Sequence, residues 1–158
     1  MSARGKARKR AVDILYEAEM RGLSSTDVLI QAQSRMKQDS ATDLNPLVER
    51  LVRGVAANQP VLDATIASHS VGWSIERMPA VDRAILRVGC FELVDEPDTP
   101  PAVVIAEAVR LASSLSTDES GSFVNGVLAA IARDQPGLQR LGPELAVNTQ
   151  SHDGPGHA

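Results

Sequence analysis

The chain has 158 residues, of which 43% are hydrophobic, 23% charged and only 3% aromatic. This length predicts one domain, and the low aromatic content argues against a module that stacks nucleic-acid bases on several aromatic rings. No apolar run approaches the roughly 18 residues that a membrane span needs, and no signal-peptide pattern is present. The single cysteine, Cys90, excludes an internal disulfide and fits a reducing, cytoplasmic location.

The net charge of −4 conceals a strongly basic N-terminus. Residues 1–10, called the basic arm below, contain no acid, whereas the rest of the chain holds all 20 acidic residues. A basic arm on an acidic body indicates a polyanion partner at one end, although a solvated terminus would have the same composition. The bases of the arm are Arg4, Lys6, Arg8, Lys9 and Arg10.

Apolar spacing predicts two helices in the first 40 residues or so. The first has an apolar stripe from Ala7 to Ala18, and Gly22 is expected to end it. Residues 24–27 offer an N-cap for the second helix, because they are rich in serine, threonine and aspartate. The polar stretch from Gln38 to Asp43 is predicted to be a loop.

A third apolar stripe runs from Leu44 to Val55 and predicts another helix. Pro60 is expected to break or kink this helix, because proline has no N–H to donate inside a helix. Beyond Pro60 the stripe continues through Leu62 to His69.

The second half of the chain predicts a central helix followed by two more. The segment from Pro79 to Val94 is apolar on most sides, which is typical of a helix inside a bundle, and Pro79 suits its first position. Prolines between 97 and 101 separate it from a stripe spanning Val104–Leu115. The last stripe covers Phe123–Ile131, and Pro136 is expected to end it.

No alternation typical of a β-strand occurs, so the sequence predicts an all-α fold. The expected architecture is a compact bundle of about seven helices in two small helical subdomains that share an interface. The helical domain is predicted to span residues 1–136. Residues 137–158 have little apolar periodicity and are predicted to form a disordered tail.

Residues with catalytic or metal-binding chemistry are sparse. The three histidines lack metal-ligand spacing, and His69 is expected to be a satisfied residue at or near the core. Cys90 lies on the packed central helix, which predicts an inert thiol. No glycine-rich phosphate loop is present, and Ser113–Ser122 is explained by a loop and a helix cap. We therefore expect no enzymatic activity, no cofactor and no metal.

Three segments, in this order and spacing, carry a family resemblance. They are the stretch Arg8–Tyr16, the central Asp82–Leu93, and Pro100–Ala112 followed by Phe123–Leu128. Together they resemble the NusB family of bacterial transcription antitermination factors, over about Ala3 to Arg133. The residues from 135 onward match nothing in that family.

The resemblance implies an all-α fold and a role in processive transcription of ribosomal RNA. Members of the family bind boxA, a short single-stranded leader RNA element, together with a small-subunit ribosomal protein that acts as NusE. The expected partners are therefore boxA RNA, NusE and the RNA polymerase antitermination complex. Two alternatives remain: a protein-interaction module alone, or a relative of the helical domain that precedes some ribosomal RNA methyltransferases. The sequence leaves the oligomeric state, including a homodimer, open.

RNA contacts are expected mainly from the basic arm, because flexible cations can follow an RNA backbone and release its counterions. Tyr16 offers a ring on which a base could stack, with packing on the second helix as the alternative. The segment Asp118–Ser122 is expected to be a loop beside the RNA, while Asn125 makes a polar contact and Gly126 packs against a helix. The complete expected set is Arg4, Lys6, Arg8, Lys9, Arg10, Tyr16, Glu119, Ser122 and Asn125.

The ribosomal-protein partner is expected on an exposed strip of the central helix. Arg83 and Arg87 lie one turn apart there, and Glu76 and Asp82 lie near its start. Pairing of these charges within the helix is the alternative explanation.

Overall fold

The computed structural model describes residues 1–134, which form helices and no strand. The all-α prediction is confirmed, with six α-helices and one short 3-10 turn in place of about seven helices. Pro136 and the predicted tail lie outside the described residues. None of the described helices is long and apolar enough to cross a membrane. The elements are α1 (Ala3–Arg21), α2 (Ser25–Ser40), α3 (Pro46–Ser68), the 3-10 turn (Ile75–Arg77), α4 (Ala80–Asp95), α5 (Pro101–Leu115) and α6 (Asp118–Asp134).

The ends of α1 and α2 are set by local side chains and by backbone conformation. Ser2 Oγ accepts a hydrogen bond from the Gly5 N–H at 2.9 Å, and Gly22 ends α1 in the left-handed region at φ 67°. Ser24 caps α2 in the same way as Ser2 caps α1. The predicted loop from Gln38 is wrong at its start, because α2 continues to Ser40. Residues 38–40 are polar and exposed, so they continue the helix without adding to its apolar stripe.

Pro60 does not break α3, so of the two predicted outcomes, a break or a kink, the break is wrong. The helix is continuous from Pro46 to Ser68, with Leu51 on one side of Pro60 and Leu62 on the other fully buried. Ala56, whose carbonyl loses the proline donor, is exposed. Water can therefore replace the missing hydrogen bond, and burial of the apolar stripe on both sides keeps the helix intact.

Helix α4 lies inside the bundle, as its apolar sides predict, and it is central to the whole molecule and not only to the C-terminal half. It packs against α1, α3, α5 and α6, so it joins the N-terminal helices to the C-terminal ones. Pro79 is its N-cap and not its first residue. On the facing helix, a Cβ at Gly54 would overlap the buried ring of Phe91, so a glycine is required for α3 to approach α4 this closely.

Helix α6 starts earlier than the sequence predicts. Asp118–Ser122 forms its first turn and not a loop, because Thr117 Oγ1 accepts a hydrogen bond from the Ser120 N–H at 3.0 Å. Phe123, expected in the core, is only partly buried. Its ring meets Trp73 edge to face, with 5.2 Å between ring centroids and 89° between planes.

Candidate nucleic-acid interface

The basic arm is helical along most of its length. Helix α1 begins at Ala3, so the five bases lie on its first two turns and project in different directions. Arg4 and Lys6 are exposed, and Lys9 Nζ pairs with Asp13 Oδ2 at 3.0 Å within the same helix. Arg10 is half-buried, and its Nε has no hydrogen-bond partner. Most of the arm therefore presents positive charge at the surface.

Arg8 differs from the other bases, because its side chain is buried. Its Nε lies 2.8 Å and 3.1 Å from the two carboxylate oxygens of Glu92 on α4. Its Nη1 lies 3.9 Å from Glu107 Oε1 on α5. The side chains of Arg8 and Glu92 are 4% and 1% exposed. The expectation that Arg8 is a flexible surface cation is wrong, because position 8 faces the interior.

A cleft of about 530 Å³ opens beside the start of α1. Arg4 and Arg8 line it from α1, and the segment between α4 and α5 forms another wall. Arg50 of α3 also lines the cleft and binds Glu96 through both carboxylate oxygens, at 2.9 Å and 3.2 Å. The cleft therefore contains both signs of charge. Its lining residues are Ser2, Arg4, Arg8, Arg50, Glu96, Asp98, Thr99, Pro100, Val103 and Glu107.

The other predicted RNA-contact residues are at the surface. Tyr16 is 39% exposed on α1, and Glu119, Ser122 and Asn125 are exposed on the first turns of α6. Gly126 is also exposed, and a Cβ there would meet no atom within 4 Å. The expectation that Gly126 serves helix packing is therefore wrong. The fold leaves this part of α6 open to solvent.

The predicted partner strip on α4 is held by acids from two other helices. Arg83 Nε lies 3.3 Å from Glu19 Oε1 of α1, and its Nη1 donates to backbone carbonyls at the start of the 3-10 turn and just after its end. Arg87 binds both carboxylate oxygens of Asp63 on α3, at 2.8 Å and 2.9 Å. Pairing within α4, the alternative, is not what holds these arginines. They connect α4 to α1 and α3 and stabilise the 3-10 turn.

The two acids predicted near this strip have opposite environments. Asp82 is fully buried and accepts a hydrogen bond from Ser120 Oγ at 2.7 Å, while its Oδ1 is buried without a partner. Its expected place on an exposed strip is therefore wrong, because it joins the start of α4 to the start of α6. Glu76, in the 3-10 turn, is exposed.

Sequence reasoning missed the acids that neutralise the arginines. Glu92 is 84 positions from Arg8 in the chain, and Glu19 is 64 positions from Arg83. No local spacing links such pairs. A charged residue on the apolar central helix is the one signal that could have identified Glu92, because a buried acid needs a buried base.

In the part of the chain that the structure describes, the remaining reactive groups do not form a site. Burial, assisted by the negative charge of Asp63, raises the pKa of Cys90 to about 12, in agreement with the predicted inert thiol. His69 lies at the edge of the core, with Nδ1 2.8 Å from the Thr65 carbonyl oxygen and Nε2 3.2 Å from Asp134 Oδ2. Within residues 1–134, no cluster of side chains has the composition of a metal site.

Comparisons with known proteins agree with this architecture. The NusB family model matches residues 5–133. The transcription antitermination protein NusB of Arthrobacter sp. (strain FB24) is 49% identical over 138 residues, covering 87% of this chain and 98% of the relative. The solved structure of T. maritima NusB has a TM-score of 0.75 at 28% identity, covering 94% of this chain and 98% of that one. A NusB solved with NusE and double-stranded RNA has a TM-score of 0.72 at 29% identity, covering 84% and 98% of the two chains. The chain belongs to the NusB family of transcription antitermination proteins.

Proposed function

We propose that this chain is an antitermination factor that binds boxA RNA of ribosomal RNA operon leaders together with the ribosomal protein NusE. It acts in the cytoplasm within the RNA polymerase antitermination complex and has no catalytic activity of its own. The proposed domain is residues 1–136. One observation carries the proposal. This chain has free cations at the start of α1, and its fold is that of a NusB solved with NusE and double-stranded RNA.

The backbone contacts of the RNA come from the exposed cations of the arm. Positive side chains at a helix N-terminus oppose the helix dipole, so Arg4 and Lys6 are unfavourably placed until an anion binds. Within the first turn of α1 no acid relieves this repulsion. Phosphates of single-stranded RNA supply the missing negative charge, and Lys9 and Arg10 extend the contact along the helix.

Base recognition needs groups other than cations, because phosphate contacts carry no sequence information. Tyr16 offers a partly exposed ring for stacking. On α6, Ser122 and Asn125 offer hydrogen-bond donors and acceptors, and Glu119 accepts from base amino groups. These exposed side chains are too few to specify a long sequence. Tight and specific binding therefore requires NusE to complete the RNA surface.

Near the start of α4, the exposed charge predicted from the sequence to meet NusE is Glu76, and the exposed Arg77 lies next to it in the 3-10 turn. Arg83 and Arg87 are engaged by Glu19 and Asp63, and Asp82 is buried. These three act on the partner indirectly, because they fix the 3-10 turn and the start of α4. Glu76 makes the direct contact.

The salt dependence of RNA binding tests the role of the arm. Each phosphate contact contributes about −0.7 to the slope of log affinity against log salt for a single strand. Replacing Arg4 and Lys6 with alanine should therefore weaken boxA binding and make the slope shallower by about 1.4. Titrations of labelled boxA RNA and of a scrambled RNA at several salt concentrations measure both effects.

The matched control removes two positive charges from α2. Arg35→Ala with Lys37→Ala changes the net charge by the same amount at exposed positions. It should leave the slope unchanged. Equal slopes for the arm variant and the wild type would exclude the arm from RNA binding. Equal affinity for boxA and scrambled RNA in the presence of NusE would favour the interaction module.

A further inference from the structure

We propose that Arg8 is a positioning residue for RNA binding and does not itself contact RNA. Its buried ion pair with Glu92 holds the first two turns of α1 against α4, and thereby orients the free cations of the arm. This inference rests on the proposed RNA-binding function. It separates one of the five arm bases from the other four.

Burial argues against a phosphate contact from Arg8. The guanidinium is 4% exposed and its Nε is shared between both oxygens of Glu92. A phosphate that captured this group would leave Glu92, which is 1% exposed, as a buried carboxylate without a counter-charge. The same phosphate would also lie close to Glu107, 3.9 Å from Arg8. Both acids oppose an incoming anion.

The position of the pair suits it to orient the helix. Among the arm's ion pairs in the described part of the chain, that of Lys9 stays within α1, whereas those of Arg8 reach α4 and α5. Gly5, one turn before Lys9, adds a second constraint. A Cβ at Gly5 would lie 3.1 Å from Glu107 Oε1, so the carboxylate of Glu107 lies directly against the first turn of α1.

Fixing Arg8 also fixes the directions of its neighbours. At about 100° per residue, Lys6 lies roughly 160° around α1 from Arg8. With Arg8 turned toward α4, Lys6 must point to solvent, where the structure places it. Arg4 lies about 40° from Arg8 and reaches the rim of the cleft. A rotation of the first turns would move both cations away from a common RNA path.

Two double variants test the inference while keeping the net charge of the wild type. The first reverses the pair, with Arg8→Glu and Glu92→Arg. The second replaces both residues with methionine, which suits a buried position if the reversed pair fails to fold. In the variant that folds, the affinity for labelled boxA RNA with NusE should stay within about threefold of the wild type, about 0.7 kcal/mol, and the salt slope should be unchanged. A slope shallower by about 0.7 would mean that Arg8 contacts a phosphate, which would overturn the inference.

The single change Glu92→Gln distinguishes positioning from general stabilisation. It should weaken RNA binding by the folded protein several-fold at an unchanged salt slope. It should also speed amide hydrogen exchange at residues 6–10 and leave exchange in α6 unchanged. Glu17→Gln is the control, because it removes a carboxylate paired with Arg21 on the surface of the same helix, and it should change neither quantity.

The exchange measurement needs no RNA, so it separates the two proposals. If the wild type fails to bind boxA RNA, the proposed function is wrong, and exchange at residues 6–10 still decides whether Glu92 holds the arm. The positioning role would be overturned if Glu92→Gln changed amide exchange equally throughout the protein, or if it left exchange at the arm unchanged.

Discussion

The start of α1 and the first turns of α4 both carry arginines, but the fold uses these arginines differently. At the start of α1, Arg4 is exposed while Arg8 is buried against Glu92. On α4, Arg83 and Arg87 are both mostly buried and both neutralised by acids from other helices. Acids brought by the tertiary structure hold Arg8, Arg83 and Arg87 in mostly buried ion pairs, whereas Arg4 stays exposed and is available to a polyanion. Composition and spacing alone do not give this information.

The largest expected effect comes from breaking the buried pair in the arm. Arg8→Met should lower the free energy of unfolding by about 3–5 kcal/mol, because it leaves Glu92 buried and unpaired. Lys9→Met, next to it in sequence, removes only a surface pair with Asp13 and should cost less than about 0.5 kcal/mol. Urea denaturation of both variants measures the difference. Similar losses would mean that the two bases are equivalent and that the contrast within the arm is wrong.

A smaller effect is expected at the 3-10 turn before α4, where NusE is proposed to bind. NusE should tighten boxA binding by about 1–3 kcal/mol, and linkage requires boxA to tighten NusE binding by the same factor. Glu76→Lys should remove most of this coupling and leave the weak binding by the arm. The measurement is the RNA affinity with and without NusE.

The control for Glu76→Lys is Glu49→Lys, which makes the same charge change on the exposed face of α3. It should preserve the coupling. If both variants lose the coupling equally, the effect is one of net charge, and Glu76 has no special role.

The smallest effect is expected at Gly126, and Gly54 provides the contrasting control. Gly126→Ala should stabilise the protein by about 0.4–1 kcal/mol, because the position is helical and exposed and the new Cβ meets no neighbour. Gly54→Ala should destabilise it, since the Cβ would overlap Phe91. Thermal unfolding measures whether each variant is more or less stable than the wild type. Weaker RNA binding by the Gly126 variant at higher stability would show that RNA approaches the α6 backbone there.

The helices were predictable because each one alternates apolar and polar positions with a helical period. The apolar stripe of α1 and the apolar sides of α4 could be recognised from the local sequence alone. A break at Pro60 was wrongly predicted for a physical reason. A local rule counts the lost hydrogen bond, whereas the buried residues on both sides of Pro60 decide whether α3 continues. Asp118–Ser122 was misjudged because helix-capping residues also favour loops.

The interface was harder to predict from the sequence than the fold. The excess of charge in residues 1–10 pointed to the correct end of the molecule for free cations. The burial of Arg8 and Asp82 did not follow from it, because their partners Glu92 and Ser120 are distant in sequence. Long-range pairing is a property of the tertiary structure. It determines which charged side chains remain available.

The contact between Trp73 and Phe123 gives the protein an intrinsic optical probe. The chain has one tryptophan, so its fluorescence arises from a single known place. That place is the segment before the 3-10 turn, where the indole is 39% exposed and meets α6 through Phe123. Because Trp73 lies three residues from Glu76, we expect docking of a protein at the 3-10 turn to change the hydration of the indole. Emission from the unlabelled protein can therefore report partner binding separately from RNA binding at the arm.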